Sequence, residues 1–505
     1  MNNNVGKGAI VLIVSGIICK ILGALFRLPL TNIISIQGIG VFQMIMSIYS
    51  LLLVFVSSGV STALSKLISS ARAGIEKRKI GSFIKTATLF SLTTSIILGL
   101  IFSGFSKQIA LLQGIEGQGE SYFLFVLILP LGAIIALLRG IIQGYENMTP
   151  TAVSQVVEQT IKFSLGLLFA FLFQKYSGRG VFGAFIGILS SEIFAFVYLL
   201  ISCRKNVSIQ KFKKISVKKE FFSASLPLTF SSSIIPLTGA IEVFLIVSLL
   251  GIAGYSSETA TSLYGLQSGV VGAILHFPLI ISLSVGTAIL PKISFLSAQK
   301  DDEKQKEIIA KAFFLMWFSL LPLTIGITAV SKEVLSIIYP SLSGGNLVIA
   351  GNLMSIGAVA TILSATMQFF VAILGARGLF KQYLIYSIIG GICKLLSLCF
   401  FAIIPSIGIY AIPISNTILA GIVCSFSILK LRKNVEIDFF EILLPIFASV
   451  LMFLIVKIIL FYITGIVGLI FSILFGAIVY FLSSFPLTNQ VFREFLIKIK
   501  KIKIK

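Results

Sequence analysis

Charge is what this sequence has least of. Only 11% of its 505 residues are Asp, Glu, Lys or Arg, 57% are apolar, and the mean hydropathy is +1.06. A water-soluble chain of this length would divide into about three domains, each needing a charged skin. This composition cannot supply one, so an ordinary soluble globular protein is excluded. Acids are scarcer still, 18 against 40 Lys and Arg, for a net charge of +22. A nucleic-acid surface would need a folded polar domain or a basic patch interleaved with aromatics. Neither is present, and no nucleic-acid partner is expected. The five cysteines, Cys19, Cys203, Cys393, Cys399 and Cys424, fall in or beside apolar runs without paired spacing. Neither a disulfide framework nor a metal cluster is indicated. There is one histidine, His276. A membrane-embedded glycosyl or acyl transferase would be expected to show a loop carboxylate pair or a catalytic histidine. The loops expected on the outer side are short and poor in both, so no enzyme is expected.

What the chain does have is apolar stretches of about 20 residues from end to end, the length a helix needs to cross a hydrocarbon core of about 30 Å. A barrel would show short alternating segments instead. The expected fold is an all-α integral membrane protein of about fourteen transmembrane helices, from Gly8–Thr31 and Gly40–Ser65 to Ile442–Tyr462 and Gly465–Leu487. The first run is too long for a signal-peptide core and lacks a small-residue cleavage site, which makes it a retained helix. Basic loops set the topology. One carries Lys66, Arg72, Lys77, Arg78 and Lys79, and a longer one Arg204, Lys205, Lys211, Lys213, Lys214, Lys218 and Lys219. The segments assigned to the outer side hold only Lys107, Lys175, Arg179 and Lys332, which puts both termini in the cytoplasm.

The basic loop splits the first twelve spans six and six. This predicts an N-terminal lobe over 1–203, a linker over 204–220, a C-terminal lobe over 221–430, two further helices over 431–490 and a basic tail over 491–505. Faint similarity between Ser58–Lys66 and Ser284–Lys292, and between Gly144–Lys162 and Gly375–Lys394, predicts a parallel repeat that places Lys162 and Lys394 at matching depths.

An ionisable group inside a span costs at least a few kcal/mol and normally faces a cavity or a partner. Lys20, Arg27, Lys85, Arg139, Lys162, Lys394 and Lys457 lie within spans, against Glu158, Glu192 and Glu242. Gly16, Lys20, Gly23 and Arg27 follow helical spacing and share one face, where small residues admit another group close to the two cations. Ser154, Glu158 and Lys162 share a face of the fifth span, with Glu158 and Lys162 in a favourable i,i+4 relation. Lys394 has no acid within a turn of its own helix, which suits it to an anion. Glu158, Glu192 and Glu242 are candidates for a coupling proton or cation, or for pairing with the lysines. Arg139 and His276 are secondary candidates, Arg139 placed where it would snorkel to the interface. Gly183 and Gly187 form a small-xxx-small pair suited to helix packing.

The segment FRLPLTNIISIQGIGVFQMIMSIYSLLLVFVSSGVSTALSKLIS, the segment LRGIIQGYENMTPTAVSQVVEQ and GTAILPKIS resemble polysaccharide exporters of the multidrug/oligosaccharidyl-lipid/polysaccharide superfamily. The resemblance is to the stage V sporulation protein B group, relatives of the MurJ lipid II flippases. It implies two six-helix lobes about a cavity that opens alternately to each side, with helices 13 and 14 accommodating a lipid tail. Lys20, Gly23 and Arg27 match a basic motif in the first MurJ helix, with Lys for its first Arg and a spacing one residue longer. The charged residues of MurJ helix 2 have no counterpart between Val41 and Ser65, and its helix 8 arginine falls at Ala273.

The combined expectation is a flippase for an undecaprenyl-pyrophosphate-linked oligosaccharide such as lipid II or a related wall or polysaccharide precursor. Lys20, Arg27, Lys162 and Lys394 would hold the phosphates, since excess positive charge between low-dielectric walls attracts an anion strongly. No cofactor is expected beyond a coupling H⁺ or Na⁺, or the membrane potential alone. Membrane lipids and cell-wall synthesis proteins are the expected partners. A multidrug exporter of the same fold is the rival reading, and would be expected to line its cavity with carboxylates.

Overall fold

The computed structural model describes residues 3–73, 77–206, 215–299, 301–340, 342–431 and 439–484. The expected basic tail over 491–505, the centre of the linker at 207–214 and residues 432–438 lie outside them. Among the described residues there is no strand. Thirteen segments are long and apolar enough to cross a membrane, so this is a multi-pass membrane protein.

The first segment, Val14–Arg72, has 59 residues. At 1.5 Å per residue it is about 88 Å long, far more than one crossing needs. It comprises α1 (Asn3–Leu53), a π-helical turn (Val54–Ser58) and α2 (Gly59–Ala73). Ser35 breaks α1 with φ 71° and ψ 171°, a region that only glycine enters without strain. Its Oγ accepts the Gly38 N–H at 3.3 Å, restarting the helix as a cap does. One crossing lies on each side of Ser35, so thirteen segments carry the fourteen expected crossings.

The chain continues through α3 (Ile80–Gly104), the short α4 (Ser106–Leu112), α5 (Phe125–Gly144), α6 (Thr149–Ser177), α7 (Gly180–Asn206) and α8 (Lys218–Ile252). Then follow α9 (Ser257–Gly265), α10 (Gly272–Gln299), α11 (Asp302–Ala329), α12 (Ser331–Ile338) and α13 (Gly344–Ala376). The last are α14 (Phe380–Ala402), α15 (Ala411–Leu431), α16 (Phe439–Tyr462) and α17 (Gly465–Ser483).

The helices pack as two compact units, one of Met1–Ile274 with Ser387–Ser415 and the other of Leu275–Tyr386 with Asn416–Lys505. This grouping differs from the division expected at the basic linker. Beyond that linker α8 packs back on α2, where a Cβ on Gly59 would collide with Thr229 and lie 2.6 Å from the Ser225 carbonyl. The first unit buries Leu64, Phe83, Ile142, Leu199 and Phe221 in one cluster. The second buries Phe313, Met316, Phe369 and Phe370 in one, and Met452 and Val456 of α16 against Tyr480 of α17 in another.

Small residues set the closest approaches in the first unit. Gly183 and Gly187 pack α7 on α6, where added Cβ atoms would collide with the Phe169 carbonyl and with Gly166, as their spacing suggested. Gly40 of α1 and Gly265 of α9 meet backbone to backbone. A Cβ on Gly265 would collide with the Ile36 carbonyl and lie 2.9 Å from the Gly40 nitrogen. We therefore expect Gly265→Val to destabilise the purified protein by about 1–3 kcal/mol, the usual cost of overpacking. Thermal unfolding in detergent reads this, and an unchanged midpoint would contradict the contact.

Candidate functional site

Six intramembrane charges of the first unit, Lys20, Arg27, Arg139, Glu158, Lys162 and Glu192, lie on α1, α5, α6 and α7, which pack against one another. On α1, Lys20 is exposed and Arg27 half-buried. A Cβ on Gly16 would meet nothing within 4 Å, and one on Gly23 only the Gln159 Oε1 of α6 at 3.8 Å. The small-residue face of span 1 thus has open space beside Lys20.

Across from it, Arg139 reaches from α5 to α6. Its Nε donates to Ser154 Oγ at 3.0 Å and its Nη2 to Glu158 Oε2 at 2.8 Å. Glu158 therefore pairs with Arg139 and not with Lys162, as the i,i+4 spacing suggested. The guanidinium fork can hold Ser154 and Glu158 together, a geometry an ammonium on the same helix cannot match. Arg139 is correspondingly held inside the protein and does not snorkel outward.

Lys162 is half-buried one turn further along α6, its Nζ 5.5 Å from the centre of the Phe26 ring, within the range of a cation–π contact. The charges of Glu158, Arg27 and Glu192 all act on it. Among the described residues, no carboxylate lies within ion-pair distance of Lys162 or Lys20. Glu192 of α7 is 4% exposed. Its Oε1 accepts a short hydrogen bond from the Tyr49 hydroxyl, while its Oε2 has no hydrogen-bond partner. Gly132 of α5 lies beside it: an added Cβ there would be in ordinary contact with Oε1 at 3.6 Å and would meet Leu53 Cδ1 at 2.7 Å.

Lys394 stands apart from this group's chemistry. It is 7% exposed, and its Nζ lies 2.7 Å from Glu242 Oε2 of α8. The acid absent from its own helix comes from another. One turn away Gly391 lets α14 approach α8 closely, with a Cβ there only 2.8 Å from Thr238 Cγ2. The expectation that Lys394 is open to an anion thus meets a buried ion pair, and Glu242 is engaged as a charge partner. Lys162 and Lys394, matched in the sequence repeat, have different surroundings. His276 is an exposed residue of α10 in the second unit. Lys457 is exposed on α16, with its Nζ 5.9 Å from the Phe453 ring centre.

Sequence reasoning missed Tyr49, Phe26 and Gln159. A tyrosine or phenylalanine in an apolar span carries no signal that separates a site neighbour from packing, and nothing in the sequence marks Gln159 as the amide that lies near Gly23 and Glu158.

With this geometry in view, comparison with known proteins is informative. The sequence matches the family described as polysaccharide biosynthesis protein over residues 5–297, more than half of the chain. The chain belongs to this polysaccharide biosynthesis protein family. The matched region contains every residue of the α1/α5/α6/α7 group. One relative of this family member, stage V sporulation protein B of Bacillus subtilis, is 28% identical over 80% of this chain and 79% of its own length. Among solved structures, lipid II flippase MurJ in an inward closed conformation aligns with TM-score 0.77 at 16% identity, covering 96% of this chain and all of its own. An inward-facing multidrug resistance MATE family transporter of the MOP superfamily aligns with TM-score 0.62 at 15% identity, covering 82% of this chain and 94% of its own. At these identities the likeness shows the fold, which this chain shares with both transporters.

Proposed function

We propose that this protein is a flippase that carries an undecaprenyl-pyrophosphate-linked oligosaccharide from the inner to the outer leaflet of a bacterial cytoplasmic membrane. The observation that carries the reading is the pair of intramembrane ammonium groups, Lys20 and Lys162, neither of which has a carboxylate at ion-pair distance among the described residues. A cation at membrane depth needs a counter-charge, and a phosphate provides one with charge-assisted hydrogen bonds. Arg27, on the same face of α1 as Lys20, belongs to this site. The family description and the relatives' names support a lipid-linked glycan substrate, of which lipid II is one example.

In the second unit an apolar cavity of about 460 Å³ lies among α11, α16 and α17, lined by Phe318, Pro322, Gly326, Met452, Gly476 and Tyr480. It is suited to a hydrocarbon chain. Alternating access driven by the membrane potential is sufficient: two negative charges moving outward gain about 4 to 5 kcal/mol at 100 mV. No catalytic step is required, and both termini lie in the cytoplasm by the distribution of basic loops.

Likeness to a MATE transporter keeps drug export as the rival. An exporter of cations needs open carboxylates, whereas Glu158 and Glu242 are ion-paired and Glu192 is buried. The two readings separate in proteoliposomes. We expect the purified protein to move a fluorescent undecaprenyl-pyrophosphate sugar to the far leaflet and not to accumulate cationic dyes. Dye transport without flipping of any polyprenyl-pyrophosphate sugar would reverse the assignment.

A further inference from the structure

A lysine open to an anion is at odds with the sequence around it, because Glu158 stands one helical turn before Lys162 on the same face of α6. At that spacing, with the acid nearer the N-terminus, the two side chains ordinarily pair. The contacts of α5 with α6 prevent it. We propose that Arg139 is a positioning residue of the phosphate site, which occupies Glu158 and thereby leaves the Lys162 ammonium to an anion. The inference rests on the functional reading above and assigns a residue that serves it through another side chain, without touching the substrate.

The short turn between α5 and α6 folds the two helices back on each other, and Arg139 and Ser154 stand equally far from it. The Ser154 hydroxyl donates to the Thr151 carbonyl at 2.7 Å, so its oxygen is left as an acceptor for Arg139 Nε at 3.0 Å. This fixes the guanidinium plane, and Nη2 then meets Glu158 Oε2 at 2.8 Å. The other carboxylate oxygen has the Gln159 amide Nε2 at 3.5 Å. Both oxygens of Glu158 are thus engaged by groups other than Lys162. A planar fork held by two acceptors is better placed for this than a flexible ammonium on the same helix.

Lys162 is supported by α1 instead. Its Nζ lies 5.5 Å from the Phe26 ring centre, and Gly166 admits that ring, since a Cβ there would stand 2.9 Å from Phe26 Cε2. An aromatic face attracts the cation while leaving N–H donors for an anion. A carboxylate set loose beside that ammonium would neutralise it and repel a phosphate, strongly so at membrane depth.

The test is titration calorimetry of the full-length protein in detergent, with a farnesyl-pyrophosphoryl sugar as the probe and thermal unfolding of every variant alongside. Lys162→Gln in an otherwise wild-type chain should weaken binding about tenfold, the worth of one charge-assisted contact. Arg139→Gln should weaken it as much, because Glu158 then captures Lys162, and adding Lys162→Gln to that variant should lose little more. Adding Glu158→Gln to Arg139→Gln should restore binding, and with it the full effect of Lys162→Gln. A role confined to the fold would shift the unfolding midpoint and leave the effect of Lys162→Gln the same in every background. Ser154→Ala loosens the guanidinium without removing it, so it should weaken binding less, again reversed by Glu158→Gln, and it carries the test if Arg139→Gln does not fold. A loss of binding that Glu158→Gln fails to reverse, or an undiminished effect of Lys162→Gln beside Arg139→Gln, overturns the inference and leaves the flippase reading standing. No binding of the probe by wild type overturns both.

Discussion

Replacing Lys394 by Met should destabilise the protein by about 3–5 kcal/mol, the cost of leaving one member of a buried ion pair without its partner. The pair in question is Lys394 with Glu242, 2.7 Å apart, with side chains 8% and 9% exposed. Little water reaches either group, and Gly391 against Thr238 leaves the helices no easy way to part. In the single variant the buried Glu242 carboxylate is left without its counter-ion. The double variant Glu242→Gln with Lys394→Met removes both charges, and the general finding that such pairs can be replaced at little net cost predicts recovery of most of the lost stability. Thermal unfolding in detergent gives the three values. Flipping assays on the same proteins then decide the role of Lys394. If the double variant is both stable and active, the lysine serves the fold. A stable single variant that cannot flip would instead return Lys394 to the substrate.

That this experiment is needed reflects what a sequence exposes. The spans were legible because hydrophobic length is a local property, and the close packing at Gly183 and Gly187 followed from spacing on one helix. Lys20, Gly23 and Arg27 were likewise visible as a face, and the structure leaves space beside it. Choice of charge partner is different, because it depends on which helices become neighbours. Glu158 had a lysine at the ideal spacing on its own helix and took an arginine from α5 instead. Lys394 had no acid nearby in sequence and found one on α8, across a contact that Gly391 makes possible. The grouping into compact units escaped for the same reason. A basic linker marks a loop, but it does not tell whether the helix beyond it packs backward, as α8 does on α2.

Lys20→Gln should reduce flipping of a polyprenyl-pyrophosphate sugar by about ten to a hundredfold while leaving the protein folded. Lys20 is exposed and has no ion pair among the described residues, so its removal strands no buried partner. Surface-type substitutions of this kind usually change stability by no more than about 0.5 kcal/mol. What is lost is a charge-assisted contact to phosphate, worth about 1.5 to 3 kcal/mol, and glutamine keeps much of the side chain's bulk. The loss should be partly recovered in Lys20→Arg, which restores the charge with a fork that phosphate accepts well. It should also be distinguishable from the effect at Lys394, since the midpoint of thermal unfolding stays put. A change in the apparent affinity for the lipid together with the maximal rate is compatible with either order of binding and movement. Full activity in Lys20→Gln would mean that the open face of α1 is not where the phosphate sits, and Lys162 would have to account for recognition without it.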